Sequence, residues 1–313
     1  MSIIAEENKA TKITARWAVN VTDWRPTHEQ YTLALNSIQT EERERILRFR
    51  LEQDQKSSLI GRLLLRWLFH TVYRVDWEAI RFGRSANNKP ILISPEVNYT
   101  HNSGLLSDPK IDFNISHHGD WVVLVSIENF IENRKQNLNV IGVDVMKIEV
   151  PNEPISQFFE IFRDQFSEYE YNTIKPPNLS EKEQLQRFYR YWCLKESYVK
   201  AIGVGLNMKL SDIEFRLADD ELVDDGEDIK SIKTKTQLYV INEPCPEWKF
   251  EESYLDQSHC VAIAYYYKQK KIHKSGDDAV TARNTVVGDD DDETLPFKVL
   301  DVNDILQYAK EIS

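Results

Sequence analysis

The sequence contains no uninterrupted apolar stretch that is long enough to cross a membrane. Its longest apolar run, WVVLVSI at residues 121–127, is far shorter than the about 20 residues that a transmembrane helix needs. The opening residues, MSIIAEENKATKITARW, also lack the continuous apolar core of a signal peptide. These two absences predict a cytoplasmic protein that has no membrane partner.

Cysteine is scarce. The chain has 3 cysteines, Cys193, Cys245 and Cys260, which are far apart and lack the spacing of metal ligands. An odd number of widely separated cysteines is typical of reduced thiols in a cytosolic protein rather than of a disulfide framework. The sequence therefore indicates no zinc site.

The sequence also lacks an excess of positive charge. Its 39 lysines and arginines are outnumbered by 51 aspartates and glutamates, which gives a formal net charge of -12 at pH 7. Such a chain is a poor match for the phosphate backbone of a nucleic acid, so we expect no nucleic-acid partner. A smaller phosphate-bearing ligand would have to meet a local cluster of basic residues.

What the sequence does contain is typical of a folded protein. Of its 313 residues, 41% are hydrophobic, 11% are aromatic and 29% are charged, which excludes general disorder. The length allows two modest domains or one domain with a long extension. Both helix and strand patterns occur along the chain.

A faint internal repeat is visible in these patterns. A helix, the segment AIRF and a hairpin in the first half have a counterpart in a helix, the segment DIEF and a hairpin in the second half. This internal repeat reflects either coincidence or a duplicated α+β unit. The later segments DIEFRLA, TQLYVI, WKFEESYL and HCVAIAYYY read as strands and are predicted to form a second sheet.

The composition changes after Tyr267. The segment KQKKIHKSGDDAVTARNTVVGDDDDE is polar, contains a block of like charge and lacks periodicity, which predicts a flexible linker. The last residues, LPFKVLDVNDILQYAKEI, would either dock as a short amphipathic helix or form a loose tail.

One predicted helix carries an unusual stripe of side chains. Ser180 and Glu183 have the capping-box spacing and predict its start. Trp192, Glu196 and Lys200 then lie four residues apart on one face. This face is either an exposed Glu-Lys pair beside a half-buried tryptophan or part of a binding site. A different face recurs at helical spacing and is expected to be buried: Tyr191, Leu194, Tyr198 and Ile202.

An acidic residue interrupts the apolar strand IGVDVMK. Period-two alternation sends Ile141, Val143 and Val145 to one face and puts Asp144 on the other. An unpaired buried carboxylate is costly to desolvate, so Asp144 needs a cation, a base or a shell of hydrogen bonds. Asp144 is either paired with a nearby lysine or arginine or serves as a metal ligand.

Residues that could bind an anion are distributed over the first half of the sequence. The hairpin segment NISHH brings Ser116 and His117 to the end of a strand, where side chains and backbone amides can converge on an anion. Arg45, in EERERI, and Arg84 and Lys89, around the loop GRSANNKP, add positive charge. Judged singly, each of these basic residues would be an ordinary solvated charge.

In combination, these segments resemble a known family. NNKP, NISHHGD, GVDVM and WCLKESYVKAIGVGL, in this order and at these separations, are similar to motifs of the 4'-phosphopantetheinyl transferases of the large surfactin type. The similarity is greatest to the eukaryotic enzymes named for aminoadipate-semialdehyde dehydrogenase. It covers residues 16–267, and its last motif is the most specific.

The resemblance implies an α+β fold of two similar halves related by a pseudo-twofold axis, with coenzyme A and Mg²⁺ in the cleft between them. The halves would be residues 13–139 and 140–268, followed at 269–313 by an acidic flexible linker and a short C-terminal helix. The enzyme would act as a monomer.

The resemblance also implies roles for individual residues. Asp144 and Glu196 would hold the Mg²⁺ ion that bridges the coenzyme A diphosphate, Lys200 would contact the diphosphate, and Trp192 would help to shape the cleft. The residues that would line the coenzyme A nucleotide and its phosphates are Arg45, the segment from Arg84 to Lys89, and Asn114, Ser116 and His117.

The sequence departs from the bacterial pattern at Met146, where bacterial relatives carry a second carboxylate. A thioether is a poor ligand for a hard cation, so Met146 would not replace that carboxylate. A water or His118 would fill the position, and we favour water because a neutral imidazole suits softer metals.

The implied reaction moves the phosphopantetheine arm of coenzyme A to a serine of an apo carrier protein and releases adenosine 3',5'-bisphosphate. Glu196, directly or through a water, would take the serine proton. Acyl or peptidyl carriers, such as aminoadipate reductase in lysine biosynthesis or a fatty-acid synthase domain, would be the partners. By analogy, the carrier would dock on the second half near the segment SQFFEIF.

Two other functions stay open. A noncatalytic coenzyme A or carrier-binding protein of the same fold, which only Met146 favours, would bind coenzyme A without consuming it. A metal-dependent phosphotransferase or phosphatase for a small nucleotide would release phosphate when no acceptor protein is present.

Overall fold

The computed structural model describes residues 12–85, 89–94, 110–129, 140–205, 208–218, 231–266 and 294–311. Asn87 and Asn88 of the predicted coenzyme A loop, and the predicted linker up to residue 293, lie outside the described residues. Within the described ranges, no helix is both long enough and apolar enough to span a bilayer.

The two halves of the chain have the same order of helices and strands, apart from one additional two-residue strand, β9, in the second. The first half consists of β1 (Lys12–Asn20), α1 (His28–Asn36), α2 (Thr40–Ile46), α3 (Glu52–Thr71), β2 (Arg81–Arg84), β3 (Pro90–Ser94), β4 (Lys110–His118) and β5 (Trp121–Asn129). The second half consists of β6 (Ile141–Lys147), α4 (Ile155–Ile161), α5 (Glu168–Ile174), α6 (Glu181–Ile202), β7 (Ile213–Arg216), β8 (Gln237–Val240), β9 (Glu243–Pro244), β10 (Trp248–Asp256) and β11 (His259–Tyr266). The C-terminal segment adds β12 (Lys298–Val299) and α7 (Val302–Glu311). The echo in the sequence therefore corresponds to a duplicated α+β unit.

Each half contributes one large and one small sheet. The large sheets have the strand orders β12-β1-β5-β4 and β10-β11-β6, and the small ones are β2-β3 and β7-β8-β9. In both large sheets the first strand of the half pairs with its last strand, β1 with β5 and β6 with β11. The prediction of one second sheet from the later strands is wrong. Instead, β6 pairs with β11, while β7 and β8 pair with each other in a separate small sheet. A local strand pattern does not show which distant strand will be the partner.

A long helix covers the large sheet of each half, α3 on β4 and β5, and α6 on β6 and β11. The predicted start of α6 is confirmed, because Ser180 N–H donates to Glu183 Oε2 at 2.7 Å and Glu183 N–H donates to Ser180 Oγ at 3.3 Å. Gly203 ends the helix in the left-handed conformation, at a φ of 70° that a residue with a Cβ rarely adopts. Tyr191, Leu194 and Tyr198 are buried, as their spacing predicted, whereas Ile202 at the end of the same face is only half-buried.

The predicted alternation along β6 is also confirmed. Ile141, Val143 and Val145 join an apolar cluster that includes Val123 of β5, so this face of β6 belongs to a layer shared by the two halves. Asp144 lies on the opposite face, where it meets α6.

The edge strands β4 and β6 are joined by side chains rather than by a ladder of backbone hydrogen bonds. Alternate side chains of β4 accept hydrogen bonds from backbone N–H groups of β6 at 2.9, 3.1 and 2.9 Å: Asp112 from Ile141, Asn114 from Val143, and His118 from Lys147. We call this junction the β4–β6 seam. When the two halves are aligned, β4 corresponds to β10 and β6 to β1. The equivalent junction therefore lies between β10 and β1, where Arg16 forms a bidentate ion pair with Glu251 at 2.7 and 3.1 Å. The two junctions agree with the predicted pseudo-twofold arrangement.

The C-terminal segment folds back onto the first half. β12 pairs in parallel with β1, and α7 adds four side chains to the core of that half: Val302, Ile305, Leu306 and Ala309. The ring of Tyr308 lies 4.4 Å from the ring of His70, measured between centroids. Of the two alternatives for the end of the chain, the structure has the docked helix.

Leu306→Ala should lower the free energy of unfolding by about 2–5 kcal/mol, because it leaves a cavity in the core of the first half. Lys310→Ala, on the exposed face of the same helix, should change it by no more than about 0.5 kcal/mol. Urea unfolding of both variants measures the difference. Equal unfolding midpoints would contradict the docking of α7.

Candidate active site

Asp144 lies at the centre of the site, on β6 at the seam. Its side chain is buried, and its Oδ1 atom accepts hydrogen bonds from Ser116 Oγ at 2.8 Å and from Lys200 Nζ at 2.5 Å. Lys200 Nζ also donates to Ser116 Oγ at 2.8 Å. Because these residues come from β6, β4 and α6, the contact joins the two halves. Lys200 supplies the cation that a buried carboxylate requires.

Gly142 allows α6 to lie close against β6. A Cβ atom added at Gly142 would lie 2.0 Å from the backbone oxygen of Ser197 and 2.5 Å from the backbone nitrogen of Ala201. Any side chain there would push the helix away, because these neighbours are backbone atoms that cannot turn aside. The absence of a side chain at Gly142 thus brings the end of α6, with Glu196 and Lys200, to Asp144.

Glu196 lies one helical turn before Lys200 and is half-buried. Among the described residues, none forms a hydrogen bond or an ion pair with its carboxylate. Burial and then the negative charge of Asp144 raise the pKa of Glu196, while the charge of Lys200 lowers it. The two carboxylates are therefore close enough to repel each other, and a further cation between them would relieve that repulsion.

The donor set of Asp144 and Glu196 fits a magnesium ion. The second oxygen of Asp144, Oδ2, is buried and has no hydrogen-bond partner among the described residues. Mg²⁺ prefers oxygen ligands and commonly takes one or two carboxylates together with substrate phosphates and waters. In the described ranges, no group of three or more histidine, cysteine or acidic residues could hold a metal. The protein thus offers two carboxylates rather than a complete cage.

Met146 and His118 are both engaged elsewhere. Met146 packs against the apolar core of the second half, where its thioether serves as a filler. His118 accepts the backbone hydrogen bond of Lys147 through Nδ1 at 2.9 Å. The ligand at the position of the missing carboxylate stays a prediction.

Positive charge collects on the first half beside the site. Burial lowers the pKa of Arg84, and the nearby charges of Arg62 and Arg45 lower it further. Arg62 Nε lies 3.4 Å from Glu42 Oε1, and the charges of Arg62, Arg66 and Arg84 all act on that carboxylate. Such an excess of guanidinium groups suits a phosphate. Sequence reasoning named Arg45 and Arg84 but missed Arg62, whose signal was an arginine inside the apolar helix segment GRLLLRW.

His117 is affected by the charge of Lys200 in the site and by the charge of Arg62 in the arginine cluster. The side chain of His117 reaches solvent. The pKa of its ring is nevertheless lowered, first by burial among protein atoms, then by the charge of Lys200 and more weakly by that of Arg62. The ring is therefore neutral at pH 7 and can both donate and accept a hydrogen bond.

The other residues named from the sequence lie around this centre. Asn114 is buried in the seam, and Lys89 Nζ donates to the seam residue Asp112 at 2.6 Å. The ring of Trp192 packs against Phe162 and Phe188, with centroids 5.4 and 6.0 Å apart. The structure therefore brings together Ser116, Asp144, Glu196 and Lys200. The roles of Asn114, Lys89 and Trp192 toward coenzyme A stay predictions.

A fully buried ion pair, which sequence reasoning missed, holds α6 in place. Lys195 Nζ lies 2.8 Å from Glu170 Oε2 and donates to the carbonyl oxygens of Leu210, at 2.9 Å, and of Ile213. Burial lowers the pKa of Lys195 and raises that of Glu170, and each charge opposes the shift of the other. Because Lys195 directly precedes Glu196, this pair fixes the rotation of α6 and the direction in which Glu196 points.

Two family models match the two halves of the chain. The model described as 4'-phosphopantetheinyl transferase, N-terminal, matches residues 22–129, and the model of the 4'-phosphopantetheinyl transferase superfamily matches residues 140–264. The chain belongs to the 4'-phosphopantetheinyl transferases, a family of enzymes, and the α+β fold of two similar halves is the fold of that family.

Individual relatives agree with this assignment. The chain is 36% identical to the L-aminoadipate-semialdehyde dehydrogenase-phosphopantetheinyl transferase of Rattus norvegicus and 35% identical to that of Homo sapiens, over 94% of this chain and 85% of each relative. It is 31% identical to the 4'-phosphopantetheinyl transferase Sfp of Bacillus subtilis (strain 168), over 59% of this chain and 69% of that protein. The resemblance drawn from the sequence motifs is confirmed.

Lys195→Met should lower the free energy of unfolding by about 3–5 kcal/mol, because it leaves the charge of Glu170 buried without its cation. The double variant Lys195→Met with Glu170→Met should recover much of that loss, since neither buried charge is left. Chemical denaturation of both proteins measures the two effects. A single variant as stable as the parent protein would contradict a structural role for the pair.

Proposed function

We propose that the protein transfers the phosphopantetheine arm of coenzyme A to a serine of apo acyl or peptidyl carrier domains and releases adenosine 3',5'-bisphosphate. The observation that carries this proposal is the junction of Asp144, Glu196 and Lys200, where one buried oxygen of Asp144 has no hydrogen-bond partner among the described residues. Two carboxylates, a lysine and nearby arginines together suit a cation and a diphosphate. The names of the animal relatives support aminoadipate-semialdehyde dehydrogenase as one acceptor.

Mg²⁺ is the proposed cofactor, held by Asp144 and Glu196. The ion, when bound, would neutralise the charge that develops on the diphosphate during transfer. The oxygen-only donor set supports this assignment over a softer metal, and so does the Oδ2 atom of Asp144, which has no hydrogen-bond partner in the part of the chain that the structure describes.

The chain's own residues would bind the donor and orient the reacting groups. Lys200 already lies in the site, and its ammonium group can share its hydrogen bonds between Asp144 and a diphosphate oxygen. Arg45, Arg62 and Arg84 would bind the remaining phosphate of the coenzyme A nucleotide. Phosphoryl transfer asks a protein mainly for such positioning and charge stabilisation.

Glu196 is the proposed general base. Its carboxylate has no other partner among the described residues, and it would act directly or through a water. It would accept the proton of the carrier serine as the serine oxygen forms a bond to phosphorus. The bond from that phosphorus to the oxygen of the departing adenosine 3',5'-bisphosphate breaks in the same step.

The transferase is favoured over a noncatalytic protein of the same fold that only binds coenzyme A or its carrier. The relatives support the transferase, because the rat, human and Bacillus subtilis proteins are all named phosphopantetheinyl transferases. We further propose a monomer that works in the cytoplasm, where its three free cysteines would stay reduced.

Incubation with coenzyme A, Mg²⁺ and a panel of apo carrier domains tests the proposal directly. We expect mass spectrometry to detect a phosphopantetheine adduct on the carrier serine and a stoichiometric release of adenosine 3',5'-bisphosphate. The same carrier with its serine replaced by alanine is the control. Binding of coenzyme A without an adduct on any carrier would favour the noncatalytic alternative.

Glu196→Gln should reduce the rate of transfer by on the order of 100-fold or more, because the amide cannot accept the serine proton. The fold should survive. An acid whose pKa is raised by folding destabilises the folded state once pH exceeds that pKa, so the neutral amide should keep or raise the melting temperature in metal-free buffer at pH 7. Near-normal turnover, or a melting temperature well below that of the parent protein, would refute these roles for Glu196.

A further inference from the structure

A carboxylate lies among the basic residues of the proposed phosphate site. Glu42, on α2, has its Oε1 atom 3.4 Å from Nε of Arg62, on α3, and both side chains are only 14% exposed. The other carboxylate oxygen, Oε2, is buried and has no hydrogen-bond partner among the described residues. Because like charges repel, a carboxylate at this place opposes the binding of a phosphate unless it serves another purpose.

The arginines around Glu42 are close enough to repel one another. Burial raises the pKa of Glu42, whereas the charges of Arg62, Arg66 and, more weakly, Arg84 lower it. The charge of Arg45 in turn lowers the pKa of Arg62 and of Arg84. In the absence of a phosphate, the negative charge of Glu42 is therefore what offsets the repulsion within this group.

The elements that carry the arginines are joined through α2. The side chain of Gln39, the N-cap of α2, donates to the carbonyl oxygen of Phe82 at 3.2 Å and accepts the backbone N–H of the same residue at 2.6 Å. Phe82 lies on β2, two residues before Arg84. Gln39 thus joins α2 to the strand of Arg84, and Glu42 joins it to the helix of Arg62. The first turn of α2 therefore fixes the relative positions of two arginines that are distant in the chain.

We propose that Glu42 is a positioning residue for the donor, because its carboxylate holds Arg62 in the arginine cluster while the site contains no phosphate. The guanidinium groups would then meet the 3'-phosphate of coenzyme A already assembled. Without the carboxylate, repulsion would turn the long Arg62 side chain toward solvent, and binding would have to order it again. The inference rests on the proposed function, which makes coenzyme A the donor.

The selectivity for the 3'-phosphate tests this role. Transfer to one apo carrier is measured with coenzyme A and with dephospho-coenzyme A, which lacks the 3'-phosphate, and the ratio of the two kcat/KM values is compared. Glu42→Gln should lower this ratio by about 10-fold or more, as loss of a hydrogen bond to a charged group does. The loss should come from a raised KM for coenzyme A, while kcat and both constants for dephospho-coenzyme A stay unchanged.

A matched control and the sign of the effect separate positioning from simple charge. Glu44→Gln removes the same charge from an exposed position of α2 and should leave the ratio unchanged. A Glu42 carboxylate that only repelled the phosphate would instead give a raised ratio in Glu42→Gln. A raised or unchanged ratio would overturn the proposal, and so would an equal loss with both donors, which is what a misfolded variant gives.

A double variant tests whether Glu42 acts through Arg62. In an Arg62→Met background, Glu42→Gln should change the ratio by less than about 2-fold, because the side chain that it positions is gone. An undiminished effect in that background would contradict the proposal. If the parent enzyme modifies no carrier, the proposed function fails instead, and calorimetric dissociation constants for the two donors replace the kcat/KM values. Equal affinities of the parent protein for both donors would then overturn the positioning role as well.

Discussion

The structure depends on the buried carboxylate of Asp144, which must find a positive charge when water is removed. Removing the partner of such a charge costs about 3–5 kcal/mol, so its environment constrains both halves of the chain. Lys200 reaches Asp144 from α6 and Ser116 reaches it from β4. Gly142 allows the helix to approach, since no side chain would fit between β6 and α6. One oxygen of Asp144 still has no partner among the described residues, and the proposed site depends on that oxygen.

The site arises where two copies of one α+β unit meet. The edge strands of two sheets lie side by side at the seam. There, side chains of β4 accept hydrogen bonds from backbone N–H groups of β6. The equivalent junction of β1 and β10 is closed by the bidentate pair of Arg16 and Glu251. The duplicated units therefore form two junctions of different chemistry, one closed by the pair of Arg16 and Glu251 and one that contains Asp144 and Lys200 of the proposed site.

The positive charge that a nucleotide requires is collected locally in this acidic protein. Its net charge of -12 would repel a nucleotide, which must therefore bind at a local cluster of basic residues. Arg45, Arg62 and Arg84 form such a cluster. It lies on the first half, whereas both carboxylates of the site come from the second, so neither half is sufficient for the proposed reaction.

The sequence by itself determined the helices, the strands and the family, because these follow from local periodicity, caps and motif spacing. The capping box at Ser180, the alternation along β6 and the stripe of Glu196 and Lys200 were all readable in this way. Only the tertiary structure decided that β6 pairs with β11, that Lys195 meets Glu170, that Arg62 joins the basic cluster and that α7 docks on the first half. Each of these contacts joins residues that are distant in the chain. Their energy comes from burial and from the pairing of desolvated charges, which no local pattern records.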